Sequence, residues 1–197
     1  MKSKKPQLLF LNEITYDPSN NSSNKKYSNT SGSEPKLDLK KWNENEKIKK
    51  NHNCYSYALN NLNYNSKGKA QPGYSAGYDS LSKSDYNCKT FYERLQKDNP
   101  TIYKVSFNSK CKKGFHKAFI ALDTKEDMDY HFYRQDSSKY WSHKAGRTDA
   151  TNLDASGKKI VNPLNANRSY KYYNYNHPCF FFCFNPKLTQ AHSKKKN

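Results

Sequence analysis

The sequence predicts an α+β domain in which N-terminal helices pack on an antiparallel β-sheet. Three observations predict it. Apolar residues concentrate between about residue 85 and residue 185. Cys88, Phe91, Tyr92 and Leu95 repeat there with the helical period, whereas the segments after Thr101 alternate or run apolar in short stretches, as strands do. Helices grouped before strands, rather than interleaved with them, indicate α+β and not a parallel α/β sheet.

Residues 1–36 read as a mostly disordered basic arm, because Asp17-Pro18 leads into Ser, Asn, Lys and Gly with hardly an apolar side chain. Within it, Leu8 to Leu11 could add a short strand or docking peptide. The folded domain is expected over 37–186, followed by a solvated basic tail over 187–197. Asn53 suits the N-cap of a short helix beginning at Cys54. The segment 66–80, with Gln71-Pro72-Gly73, is a loop. The amphipathic helix that follows is capped by Ser84 or Asp85 and stopped by Asn99-Pro100. Strands are expected at 101–107, 115–122, 130–135, 140–144, 158–161 and 178–184.

With 34% apolar residues and a mean hydropathy of −1.21, the core must draw on the 17 Tyr and 10 Phe. A net charge of +18 attracts polyanions such as nucleic acid or an acidic wall polymer, although Lys and Asn are abundant throughout. Tyr170, Tyr172, Tyr173 and Tyr175 interleave with Arg168 and Lys171, a pattern that serves single-stranded nucleic acid or an edge strand alike. No apolar run reaches the length of a transmembrane helix, and Leu8–Leu11 is too short for a secretory signal peptide. Five cysteines, an odd number, point to a reducing compartment, cytoplasm or virion, with at least one free thiol. Cys179 and Cys183 lack the spacing of a zinc knuckle and sit in a run that reads as a buried strand, so no metal is expected.

Cys54 stands at a helix start, where unpaired N–H groups and the dipole favour thiolate and can also hold an oxyanion. His131 lies on a strand with Tyr133 and Gln135 on the same face, and a strand presents an imidazole base rigidly. A three-residue hairpin loop, Asp136–Ser138, would set His143 directly opposite His131, while a two-residue loop would put the two on opposite faces. These residues form a candidate catalytic set: Cys54 as nucleophile, His131 as base and His143 as orienting group. Asn53 or Gln135 could donate to the oxyanion.

A cysteine at a helix start followed by histidines on strands is the papain-like arrangement. Together with a second histidine one hairpin later, it resembles the NlpC-type cysteine peptidases over roughly residues 50–145. The resemblance implies a papain-like domain that cleaves an amide or peptide bond through Cys54, His131 and His143 without a cofactor. The sequence departs from that family in Tyr55-Ser56-Tyr57 after the cysteine and in the long segment before His131. The motifs Asn53-Cys54-Tyr55, Gln71-Pro72-Gly73, Asp129–Gln135 and Trp141–Lys144 also look like an uncharacterised group of bacterial and large-virus proteins. The competing expectation is a non-enzymatic basic protein that binds nucleic acid or packs in a virion, with Cys54 as a core residue.

Overall fold

The structure, a computed structural model, describes residues 26–62, 69–125 and 128–192. Six strands form one antiparallel sheet in the order β1-β6-β2-β3-β4-β5. They are β1 (Tyr103–Val105), β2 (His116–Asp123), β3 (Asp129–Gln135), β4 (Trp141–Lys144), β5 (Ala150–Thr151) and β6 (His177–Phe184). The helices are α1 (Glu46–Asn51), α2 (Cys54–Ala58) and α3 (Cys88–Asp98). The fold is therefore α+β, as expected.

The central strands bury both faces, so strict alternation of side chains feeds two cores. Ala118, Ile120, Leu122, Phe132, Phe180, Phe182 and Phe184 meet Tyr55, Ala58 and Leu59 of α2 and Phe91 and Leu95 of α3. Phe119, Ala121, Tyr133, Trp141 and Phe181 point to the other face, where Phe107, Ile160 and Tyr175 close over them. Aromatic side chains each bury about 150–250 Å², which is how a chain this polar sustains a core.

α3 starts at Asn87, whose side chain accepts from the Thr90 amide at 2.9 Å, and not at Ser84 or Asp85. Those two lie in a preceding turn, Lys83–Asp85, which carries its own Ser82–Asp85 capping box. Asn99 caps the other end, before Pro100, as anticipated. α1 has no apolar period to announce it; it is capped by Asn45, after a turn that buries Trp42 against Tyr57. The strand expected at 158–161 is reduced to single bridges, Trp141 with Ile160 and Leu153 with Lys159.

The arm expected to be disordered is packed wherever it is described. Lys117 is buried on β2, and its ammonium donates to Ser28 Oγ at 2.7 Å and to the carbonyls of Asn29, Phe107 and Ser109. Arg134 donates to the Lys36 carbonyl, and the Ser137 amide to that of Pro35. Buried cations solvated by main-chain carbonyls replace the apolar contacts whose absence suggested disorder. The domain thus includes residues 26–36, and at the other end Ala191 is buried and Gln190 bonds to Asn99. Leu8–Leu11 and Ser193–Lys196 lie outside the described residues.

Four cysteines are paired, Cys88 with Cys179 and Cys111 with Cys183, which overturns the expectation of reduced thiols for all but Cys54. The pairing depends on an irregularity. Ile120 faces Phe180 and Ala121 faces Pro178, so Cys179 is the extra residue of a β-bulge. The bulge turns Cys179 to the helical side, where it meets the first residue of α3, while Cys183 keeps to the opposite face. Among the described residues no helix is long and apolar enough to cross a membrane.

Candidate active site

Asn53 builds the start of α2. Its Oδ1 accepts from the Ser56 amide at 3.2 Å, and its Nδ2 donates to the Ala70 carbonyl at 2.7 Å, tying the helix to the loop beside it. That loop is held by Asp98, which accepts from the amides of Gly73 and Ala76 and from Tyr55 Oη. Gly73 has φ +96, and a Cβ there would lie 2.9 Å from Tyr78 Cβ, so the turn requires glycine. α2 is docked on the sheet through Tyr55 against Phe132 and through the Tyr57 to Ser142 hydroxyl bond. Cys54, the first residue of α2, is therefore held against β3 with 5% of its surface exposed.

β3 and β4 pair Gln135 with Trp141, Arg134 with Ser142 and Tyr133 with His143. The loop is Asp136–Tyr140, longer than expected by two residues, so His143 lies diagonal to His131 and not directly opposite. A shift of two keeps the parity, and both imidazoles stay on one face. His131 Nε2 and His143 Nδ1 are 2.8 Å apart, and His143 Nε2 is 3.0 Å from the Leu153 carbonyl oxygen. A carbonyl only accepts, so His143 carries its proton on Nε2 and receives a hydrogen bond at Nδ1. His131 must then carry its proton on Nε2, which leaves the Nδ1 lone pair free to act as a base. Tyr175 stacks on the His131 ring at 4.9 Å and anchors itself by donating to Asp129 at 2.7 Å.

Cys54 and His131 line one cleft of about 460 Å³, together with Asn53, Lys69, Gln71, Asp129 and Arg147. The thiol hydrogen bond goes to the Tyr130 carbonyl at 3.7 Å, not to His131. Burial, followed by the Asp129 charge, pushes the Cys54 thiol up to about 12 despite nearby backbone N–H groups. Burial and the neighbouring His143 hold His131 well below the usual imidazole range, and burial lowers His143. The resting pair is thus neutral thiol and neutral imidazole. This corrects the expectation of a thiolate, because the dipole of a helix only five residues long does not offset desolvation.

Of the two expected oxyanion donors, Asn53 lines the cleft, with one of its two amide N–H groups bonded to the Ala70 carbonyl. Gln135 donates to the Ser28 carbonyl at 3.0 Å and lies four positions along β3 from His131, about 13 Å at a strand's rise. Gln71 is the residue that sequence reasoning passed over: its Nε2 is buried at the cleft wall without a hydrogen-bond partner. Its place in a Pro-Gly turn was visible, but not which side chain the turn would turn inward.

The remaining candidates serve structure. Tyr170 and Tyr175 surround the histidines, and only Tyr172 and Tyr173 are exposed. Arg168 donates to the Leu164 and Tyr175 carbonyls, which ties its guanidinium to the main chain, whereas Lys171 lies over the exposed Tyr172 ring at 5.0 Å. Cys88, His177 and Cys179 converge, but the two sulfurs are joined to each other.

No protein-family profile matches the chain, and no solved structure matches it. Over 127 residues it is 34% identical to insoluble matrix shell protein 1 of Ruditapes philippinarum, an alignment that covers 64% of this chain and 77% of that protein.

Proposed function

The chain belongs to the family of insoluble matrix shell protein 1, and we propose that it is a cysteine hydrolase or acyl transferase of papain-like organisation acting on an amide. The observation that carries this reading is a buried histidine, His131, that lines the same cleft as the one unpaired cysteine and is oriented from behind by His143. Two imidazoles desolvated side by side are costly, and a core has cheaper ways to fill that space. An unpaired cysteine that lines the same cleft as a base is the natural recipient of that arrangement.

In the proposed reaction the thiol leaves the Tyr130 carbonyl by a side-chain rotation and gives its proton to His131 Nδ1. The sulfur attacks the amide carbon, and the Gln71 amide with first-turn N–H groups of α2 stabilises the oxyanion. His131 returns the proton to the departing amine as the C–N bond breaks, leaving a thioester on Cys54. Water or a second amine then releases the acyl group. His143 holds His131 in the required tautomer, as the third member of a triad does.

Two disulfides suit an oxidising compartment better than cytoplasm, and the relative's name sets that protein in an insoluble shell matrix. We extend an extracellular setting to this chain. The second reading is a non-catalytic basic component that binds polyanions, favoured by the +18 charge and the same relative. Incubation with a library of peptide amides and thioester trapping by hydroxylamine separates the two: hydroxamates that depend on Cys54 support the enzyme, and none from any substrate supports the binding protein.

A further inference from the structure

Two cations meet at the cleft beside a single acid, Asp129, among its described lining residues. Lys69 and Arg147 come from different loops and line the same space as Cys54. Lys69 Nζ lies against the Gly146 turn, 3.1 Å from where a Cβ on that glycine would stand. Among the described residues neither cation takes part in an ion pair, whereas Lys49, Lys50, Arg94 and Arg134 all do. Burial chiefly, and after it the like charge of Arg147, lower the proton affinity of Lys69, while Asp129 acts the other way. Such a pair is stabilised when an anion enters between them.

We infer that the cleft recognises a carboxylate on its substrate, so that the amide attacked by Cys54 belongs to an aspartyl or glutamyl peptide. This deepens the proposed function and rests on it. A monoanion fits better than a phosphate or sulfate dianion. Among the described residues Asp129 is the one acid lining the cleft, and two cations with one acid leave about one positive charge to neutralise. The Arg147 fork can take a carboxylate on two parallel N–H groups while Lys69 adds a point charge.

Charged and neutral alkylating agents read this directly at Cys54. Iodoacetate and iodoacetamide each form an S–C bond and release iodide, with the thiol proton passing to His131 or water. They differ in the carboxylate alone. The ratio of their rates at Cys54, followed by mass spectrometry on the disulfide-intact chain, is expected to fall about tenfold in a Lys69→Glu, Arg147→Glu double variant, within the range of local electrostatic focusing. A Lys113→Glu, Lys187→Glu variant changes the net charge equally at distant sites and is expected to leave the ratio within about twofold. An unchanged ratio in the cleft variant overturns the inference. Should Cys54 react with neither reagent, the catalytic reading fails, and titration of Cys54→Ala protein with N-acetylaspartate by NMR decides the carboxylate site alone. Saturable binding weakened by the double variant upholds it, and no binding rejects it.

Discussion

Replacing His143 by alanine removes the acceptor of a buried hydrogen bond and leaves His131 Nε2–H without a partner. An unsatisfied buried donor costs about 1–3 kcal/mol, and the vacated imidazole adds a cavity beside Tyr133 and Tyr170. A total loss of about 2–4 kcal/mol is expected in urea unfolding. His131 would then be free to adopt the other tautomer, so the fraction of protein with a lone pair on Nδ1 falls. Alkylation of Cys54 by iodoacetamide should slow by about ten- to a hundredfold. Glutamine is the informative second variant, because its Oε1 can accept from His131 while its Nε2 donates to the Leu153 carbonyl. It should restore most of the alkylation rate. If His143→Ala alkylates at the native rate while losing stability, the histidine pair is a structural feature and its orienting role is refuted.

Acid sensitivity follows from the same pair. Both histidines have folded pKa values depressed below the ordinary 6.5, so the unfolded chain binds more protons on acidification. Their contribution is full above 6.5 and is lost as pH falls toward the folded values; the urea midpoint should drop between pH 7 and 5, less so in His131→Gln, and equal drops would contradict the assignment. Peptide mapping without reductant should recover Cys88–Cys179 and Cys111–Cys183 and label Cys54 alone; the loops closed span 91 and 72 residues, so reduction should cost about 4–5 kcal/mol each. Arg134 is buried, paired with Asp136 and bonded to Asn60 and the Tyr57 and Lys36 carbonyls, so Arg134→Ala should cost about 3–5 kcal/mol in chemical denaturation. A loss below about 1 kcal/mol would show that the arm is held by other contacts.

Local chemistry was legible in the sequence and long-range geometry was not. Asn53 before Cys54 announces the start of α2 because capping involves only three or four neighbouring residues. The shared face of His131 and His143 survives because parity tolerates a register shift of two, but the shift itself was hidden in the Asp136–Tyr140 loop, where Lys139 adopts φ 68. Disulfide connectivity depends on the bulge at Cys179, which no alternation rule locates. Residues 26–36 look disordered by composition because the groups that order them, Lys117 and Arg134, lie about a hundred positions away. The thiol's protonation state escaped for a similar reason: helix position is local, whereas burial is set by the whole sheet.

Acylation of Cys54 tests the central claim most directly. The disulfide-intact protein, given an activated ester of a glutamyl peptide at neutral pH, should acquire one acyl group, located on Cys54 by digestion and mass spectrometry. That group should disappear with time as the thioester turns over, and His131→Ala should slow both its formation and its loss by at least about a hundredfold. An acyl group that settles on surface lysines, or that reaches Cys54 equally fast without His131, would contradict the account.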